Sequence, residues 1–254
     1  MTVDNFFIHA PAERAPGLAL NANKMVIIEV VTENTGADVM ADNKRVLAVV
    51  MGDSTKQDLF YADANEGDRS LFGAAMQINA LIAKNYVLAG HNVKGYELQF
   101  LRRFLNLNIP EYMTLDLRDL DGVIELQQRP EKPVFKLEDV LAEYKIPLDH
   151  RRPIDEKAEL LKKKPELIAQ ADAAAQQLAS SKGWSQEFSR QYALNNMATG
   201  QAILESYEEF VQKGGSSDTA FFKYAAGDVI AEHKLIEALR KPKAATSPKA
   251  APPA

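Results

Sequence analysis

Acidic side chains in unusual positions are the first candidates for chemistry in this sequence. Glu29 interrupts the apolar run VIIEVV at residues 26–31, where a carboxylate is costly to bury unless it is paired or bound to a metal ion. Glu97 stands at the start of an amphipathic stretch, where the dipole of a helix favours negative charge. Tyr224 and Asp228 are four residues apart, which places them one turn apart on the same face of a helix. Carboxylates that converge in a fold are suited to hold a divalent metal ion.

Two of these acidic residues also have ordinary structural explanations. Glu97 needs no metal ion if it serves only as a helix N-terminal carboxylate. Asp228 needs none if it lies on the exposed side of its helix. The strands and helices that carry these residues therefore decide whether the carboxylates converge on a metal ion or have only structural roles.

The apolar patterns before residue 62 predict three short strands. Runs of apolar and β-branched residues alternate with polar turn signals such as Gly52-Asp53. The runs are Met25–Val31, Arg45–Met51 and Asp58–Tyr61. Three strands in close succession are typical of an antiparallel meander.

After residue 67 the pattern changes to alternating helices and strands. The predicted order is a helix at 68–85 with Asp68 or Ser70 as its N-cap, a strand at 86–91, a helix at 96–107 and a strand at 112–117. Helices between strands are typical of parallel crossovers. Both parts together predict an α/β fold with a mixed five-stranded sheet flanked by helices.

From about Leu137 onward the pattern is almost entirely helical. The predicted helices lie at 136–146, 156–180, 186–213 and 219–240. The segment from about 156 to 215 is interpreted as a helical insertion within a domain that spans residues 25–240. Residues 1–24 are interpreted as an N-terminal extension, and the Pro-, Ala- and Lys-rich residues 241–254 as a disordered tail.

The composition predicts an ordinary globular protein, since 46% of the 254 residues are hydrophobic and 26% are charged. The absence of cysteine excludes disulfides and thiolate metal sites. We expect a cytoplasmic protein without membrane contact, because we find neither a secretory signal nor a run of about 20 apolar residues. The net charge of −5 argues mildly against a broad basic face for nucleic acid. The basic clusters Arg102-Arg103, Arg151-Arg152 and Lys162–Lys164 are interpreted as solvated surface.

Three segments, taken in order, resemble the DEDD family of 3′–5′ exonucleases in the branch whose last motif is Tyr-x-x-x-Asp. The segment LAGHNVKGYELQFLRRFL, residues 88–105, is similar to the family's strand-to-helix motif. Glu97 stands where that family has an aspartate. The segment YAAGDVIAEHKLIEAL, residues 224–239, is similar to the Tyr-x-x-x-Asp helix, with Tyr224 and Asp228 in register.

The first motif of the family, Asp-x-Glu at the end of the first strand, is only partly present. Glu29 stands at the aspartate position, but Val31 occupies the glutamate position and cannot bind a metal ion. Glu33 lies close by and is an alternative if the strand ends early. Asp116 resembles a further acidic position of the family whose role is more structural than catalytic.

The resemblance implies a ribonuclease-H-like fold with Mg²⁺ or Mn²⁺ held by Glu29, Glu97 and Asp228 over a phosphodiester. Two such metal ions stabilise the attacking and leaving oxygens of an in-line displacement. In the family Tyr224 would orient the attacking water, so the implied catalytic residues are these three carboxylates and Tyr224. With Val31 at a ligand position, the set is sufficient for one ion and doubtful for two.

Two functional hypotheses follow from this resemblance. The first is a metal-dependent 3′–5′ exonuclease that acts on ends of single-stranded DNA or RNA, as the register of Tyr224 and Asp228 favours. The second is an inactive member of the fold that binds nucleic acid, or a protein partner through its helical insertion. Val31, the two Asp-to-Glu positions and the acidic composition favour the second hypothesis.

Overall fold

The computed structural model of the protein describes residues 24–33, 45–64 and 69–240. The interpretations of residues 1–23 as an extension and of residues 241–254 as a tail lie outside these residues. So does Asp68 as a candidate N-cap. The other candidate is confirmed, because Ser70 caps the first helix by accepting a hydrogen bond on its Oγ from the Gly73 amide.

The described residues form an α/β fold around one five-stranded mixed sheet. The strands are β1 (Met25–Thr32), β2 (Val46–Gly52), β3 (Gln57–Tyr61), β4 (Val87–Gly90) and β5 (Thr114–Asp116). They lie side by side in the order β3-β2-β1-β4-β5. The pairs β1–β2 and β2–β3 are antiparallel, whereas β1–β4 and β4–β5 are parallel. The predicted mixed sheet and its antiparallel meander are confirmed.

Eight α-helices accompany the sheet within the described residues. They are α1 (Leu71–Ala83), α2 (Glu97–Leu105), α3 (Asp121–Gln127), α4 (Leu137–Glu143), α5 (Arg152–Leu161), α6 (Pro165–Lys182), α7 (Gln186–Gln212) and α8 (Ala220–Arg240). The predicted strand at 112–117 is shorter than expected, because a 3₁₀ turn precedes β5 and another follows it. No helix of the described residues is long and apolar enough to cross a membrane.

The prediction of a single helix at 156–180 is wrong. Two helices, α5 and α6, meet at Pro165, and the preceding Lys164 is extended with φ −74° and ψ 124°. Proline has no amide hydrogen to donate and forces the residue before it out of the helical region, so it begins a helix more easily than it continues one. The first helix of the segment interpreted as an insertion, α5, begins at Arg152, which is earlier than the predicted start at about residue 156.

Each face of the sheet buries a separate hydrophobic core. One core joins alternate strand residues such as Val30 and Leu88 to α1 and α2. The other joins the opposite side chains, including Ile27 and Val31, to α8 and to the helical segment after residue 136. Because α5, α6 and α7 share this second core with the sheet, the helical insertion packs as part of the same domain.

Candidate active site

The registers of the strands place Glu29 beyond the carboxyl end of a neighbouring strand. On the parallel side Met25 lies opposite Val87 and Ile27 opposite Ala89, and β4 ends at Gly90. Side chains alternate along a strand, so Glu29 shares the face of Ile27 and Val31 that packs on α8. This is the edge at which open α/β sheets usually bind their ligands.

Glu97 reaches the same place from the start of α2. Its side chain is only 4% exposed. The chain arrives there through a tight turn after β4, which is fixed because the Asp116 carboxylate accepts hydrogen bonds from the Asn92 amide and the Arg118 amide, both at 3.0 Å. Asp116 thus has the structural role that the sequence resemblance implies. A hydrogen bond of 2.7 Å between the Thr32 and Tyr96 hydroxyls ties the end of β1 to the start of α2.

The helix α8 contributes Tyr224, Asp228 and a further acidic residue, Glu232. The three lie at successive four-residue intervals along one face of the helix, which packs across β1. Asp228 and Glu232 are each about 1% exposed. The helix therefore supplies two buried carboxylates where the sequence motif predicted one.

The carboxylates are close enough to act on one another electrostatically. Burial, then repulsion from Asp228, raises the pKa of Glu29 to about 8, although Arg151 opposes the rise. Burial and the charge of Glu29 raise the pKa of Glu97 well above its usual range. Burial and the charges of Glu29, Glu97 and Asp228 do the same to the pKa of Glu232. Glu29, Glu97, Asp228 and Glu232 thus interact electrostatically, and we call these four residues the carboxylate cluster.

Asp228 is held by two basic side chains from the segment before α5. His150 Nε2 and Arg151 Nε each lie 2.8 Å from the same oxygen, Asp228 Oδ1. Arg151 Nη1 also lies 3.7 Å from Glu138 Oε2. A β-carbon on Gly227 would lie 2.3 Å from the His150 ring, so only glycine at this position lets the imidazole approach α8. The interpretation of Arg151 as solvated surface is wrong, because its side chain is 21% exposed and pairs with a buried carboxylate.

Tyr224 lies next to Arg151 and within the electrostatic range of Asp228 and Glu29. The guanidinium carbon of Arg151 is 5.9 Å from the centre of the phenol ring. Burial, then the nearby charge of Asp228, raises the pKa of Tyr224 far above its usual value. The phenol therefore remains protonated at neutral pH, and it is suited to orient a neighbouring group rather than to act as a base.

The donor set fits a divalent cation in its chemistry. Hard carboxylate oxygens are the ligands that Mg²⁺ and Mn²⁺ favour. Two buried carboxylate oxygens, Glu97 Oε2 and Glu232 Oε2, have no hydrogen-bond partner. Burying a charged group without a partner is costly, which favours a bound cation or a proton at these positions.

The present spacing of the carboxylates is not that of a preformed metal site. In the part of the chain that the structure describes, no group of three or more His, Asp or Glu side chains is arranged to hold a metal ion. Glu33 does not join the cluster, because β1 continues to Thr32 and Glu33 Oε2 pairs with Arg45 Nε at 2.9 Å. An ion would have to draw the carboxylates together and compete with His150 and Arg151 for Asp228.

The sequence interpretation missed three residues of this site: His150, Arg151 and Glu232. The two basic residues are 77 and 78 positions away from Asp228, so no local pattern connects them to it. A signal for Glu232 was present, because this acidic residue follows Asp228 by one helical turn within an apolar segment, VIAEHKLI.

A separate surface cavity of about 340 Å³ lies between α3 and α4 and is lined by Gly122, Glu125, Leu126, Arg129, Glu143 and Tyr144. None of the clustered carboxylates contributes to it, so the chemistry of the cluster does not extend there. Comparison of the chain with protein families, with curated proteins and with solved structures found no match.

Proposed function

We propose that this chain is a metal-dependent 3′–5′ exonuclease that acts on ends of single-stranded DNA or RNA. The observation that carries the proposal is the cluster of Glu29, Glu97, Asp228 and Glu232, which come from three separate elements; Glu29 is half-buried and the other three are buried. Four acidic groups repel one another, and a cation removes that repulsion. Phosphodiester hydrolysis is a reaction in which metal ions held by such carboxylates stabilise the developing charge.

The arrangement of the sheet supports a ribonuclease-H-like fold for this enzyme. Three antiparallel strands are followed by two parallel ones, and β1 lies at the centre of the order β3-β2-β1-β4-β5. This order puts the central strand and β4 side by side, so that their carboxyl ends can share a ligand. The motifs around Glu97 and Asp228 support the same assignment.

The residues have distinct roles in the proposed reaction. Glu29, Glu97 and Asp228 would hold Mg²⁺ or Mn²⁺, which when bound stabilises negative charge on the phosphate and activates water. The Tyr224 phenol, kept protonated by burial, would orient that water by a hydrogen bond. Arg151 is well placed to exchange its contact with Asp228 for a contact with a phosphate, a group that guanidinium binds well.

A second candidate function is an inactive member of the same fold that binds nucleic acid or a protein partner. Its specific support is the pairing of Arg151 and His150 with Asp228, because the guanidinium supplies one positive charge where a metal ion would sit. The absence of a preformed metal group in the described residues points the same way. Under this hypothesis the helical segment from α5 to α7 is the candidate contact surface for a partner.

The proposal is tested by the degradation of a 5′-labelled single-stranded oligonucleotide, as DNA and as RNA, with Mg²⁺ or Mn²⁺. We expect a ladder that shortens from the 3′ end and needs the metal. Asp228→Asn should reduce the rate by at least about 100-fold, because it removes a charged ligand while keeping the shape of the side chain. Glu237→Gln is the matched control, since Glu237 lies on the same helix and is 51% exposed.

The outcomes separate the two candidate functions. A ladder from the wild type and Glu237→Gln, lost in Asp228→Asn, supports the exonuclease. Cleavage that survives in Asp228→Asn would come from a contaminating nuclease. Intact oligonucleotide with both metals and a folded wild-type protein would refute the exonuclease and leave the binding module.

A further inference from the structure

Glu232 has surroundings that a structural glutamate rarely has. Its side chain is about 1% exposed, and its Oε2 has no hydrogen-bond partner. It lies one helical turn after Asp228, and the charges of Glu29, Glu97 and Asp228 all act on it. A buried carboxyl that has one oxygen without a partner and interacts with three other acidic groups is stabilised by either a proton or a cation.

The position of Glu232 coincides with the end of β4. A β-carbon added to Gly90 would lie 3.6 Å from Glu232 Oε2 and 3.0 Å from the main-chain oxygen of Ile28. The main-chain amide of His91 donates a hydrogen bond to the Glu232 carboxyl. The carboxyl is therefore fixed by the backbone of the strand end, at the edge where Glu29 also lies.

The strand β1 supplies only one carboxylate on this face. Val31 points to the same side as Glu29, two residues further along β1, and is buried in the apolar core at 4% exposure. Position 31 therefore contributes no oxygen to the cluster. The strand provides one carboxylate and α8 provides two.

We infer that Glu232 is a ligand carboxylate of the metal site, supplied by α8 in place of an acidic residue at position 31. This inference rests on the proposed function, since it assumes that the cluster binds a divalent cation. It assigns four carboxylates to the site, namely Glu29, Glu97, Asp228 and Glu232.

The inference is tested by calorimetric titration of Mn²⁺ into the folded wild type, Glu232→Gln and Glu237→Gln. We expect Glu232→Gln to lose one bound ion or to weaken binding by at least about tenfold, because it replaces a charged oxygen ligand by a neutral amide of the same size. Glu237→Gln, with an exposed side chain on the same helix, should bind as the wild type does. Circular dichroism establishes that each variant is folded.

The possible failures are distinguishable. A wild type that binds no Mn²⁺ would overturn the proposed function and this inference together. A wild type that binds Mn²⁺ while Glu232→Gln binds it with equal affinity and stoichiometry would overturn only the inference, and Glu232 would then be a protonated structural carboxyl. If Glu232→Gln does not fold, Glu232→Asp keeps the charge and shortens the arm; unchanged Mn²⁺ affinity in that variant would contradict the assignment, and weakened affinity would support it.

Discussion

Asp228 and Glu232 are one turn apart on α8 and equally buried, yet their surroundings are opposite. One oxygen of Asp228 accepts from both His150 and Arg151, whereas Oε2 of Glu232 has no hydrogen-bond partner. One of the four carboxylates is thus paired with basic side chains of the chain itself, and the other three are left for a proton or an external cation. We call these the paired side, which comprises Asp228, His150 and Arg151, and the open side, which comprises Glu29, Glu97 and Glu232.

Asp228 and Glu232 therefore show that equal burial does not give two carboxylates the same role in the site. On the paired side, removing a basic partner exposes a buried charge to a medium that solvates it poorly. On the open side, removing a carboxylate relieves repulsion. Substitutions on the two sides should therefore change the stability of the ion-free protein in opposite directions.

The largest effect is expected for Arg151→Met. It leaves the buried Asp228 with His150 alone, which should lower the free energy of unfolding of the ion-free protein by about 3 kcal/mol. Arg152→Met is the matched control, because the neighbouring Arg152 side chain is 77% exposed and should change stability by less than about 0.5 kcal/mol. Urea unfolding followed by circular dichroism measures both. Equal effects of the two variants would show that the pair with Asp228 stabilises nothing.

A somewhat smaller loss is expected for Gly227→Ala. The added methyl group would lie 2.3 Å from the His150 ring, so the imidazole must move away from Asp228. We expect a loss of about 2 kcal/mol, as for other overpacked sites, from the same urea unfolding measurement. An unchanged midpoint would mean that His150 is not held against α8.

The open side predicts a pH dependence of stability. The pKa of Glu29 is raised from 4.5 to about 8 in the folded protein, and those of Glu97 and Glu232 are raised as well. A raised pKa means that the folded state binds more protons than the unfolded state, so the stability is full below about pH 4.5 and is lost as the pH rises towards 8. The slope should reach up to about 1.4 kcal/mol per pH unit for each group that titrates.

The groups that face Glu29 decide how steep this dependence is. They are Asp228, Arg151, Glu97, Glu232, Tyr224 and Tyr96. Only Arg151 among them is cationic, so repulsion dominates as the carboxyls ionise. Thermal unfolding from pH 5 to pH 8 without divalent ions measures the effect, and saturating Mg²⁺ should flatten it. A midpoint that rises over this range in the ion-free protein would contradict the prediction.

The smallest effect, and the one of opposite sign, is expected for Glu97→Gln. It removes a buried ionisable group from the open side, so the ion-free protein at pH 8 should gain about 1 kcal/mol in its free energy of unfolding. Glu111→Gln, an exposed glutamate elsewhere, should be neutral. Destabilisation by Glu97→Gln in urea would mean that this carboxylate has a partner in the folded protein.

The fold and half of the site were predictable from the sequence, and the reasons are physical. Short periodic patterns located β1, β2 and β3 to within two residues, because alternation and turn residues are local signals. The helical pattern at 156–180 did not reveal that the chain breaks into two helices at Pro165. The short helix α3 was missed; it contains Gly122, and glycine has a low helix propensity.

The site residues likewise divide into those that a local pattern identifies and those that only long-range contacts bring together. Glu29, Glu97, Tyr224 and Asp228 belong to local motifs or to an anomalous charge in an apolar run, so the sequence alone identified them as candidates. The paired side depends on contacts over 77 and 78 residues, which no local pattern records. The pairing of Arg151 with Asp228 exists only in the folded molecule, so the sequence alone could not predict that a metal ion must compete with Arg151 for this carboxylate.

The most direct test of the central claim is a crystal structure of the wild-type protein grown with saturating Mn²⁺, with the ion located by its anomalous scattering. We predict an Mn²⁺ peak in contact with carboxylate oxygens of Glu29 and Glu232, with Arg151 displaced from Asp228. A map without an Mn²⁺ peak in the cluster, with Arg151 and His150 still on Asp228 Oδ1, would contradict the claim that these buried carboxylates form a metal site.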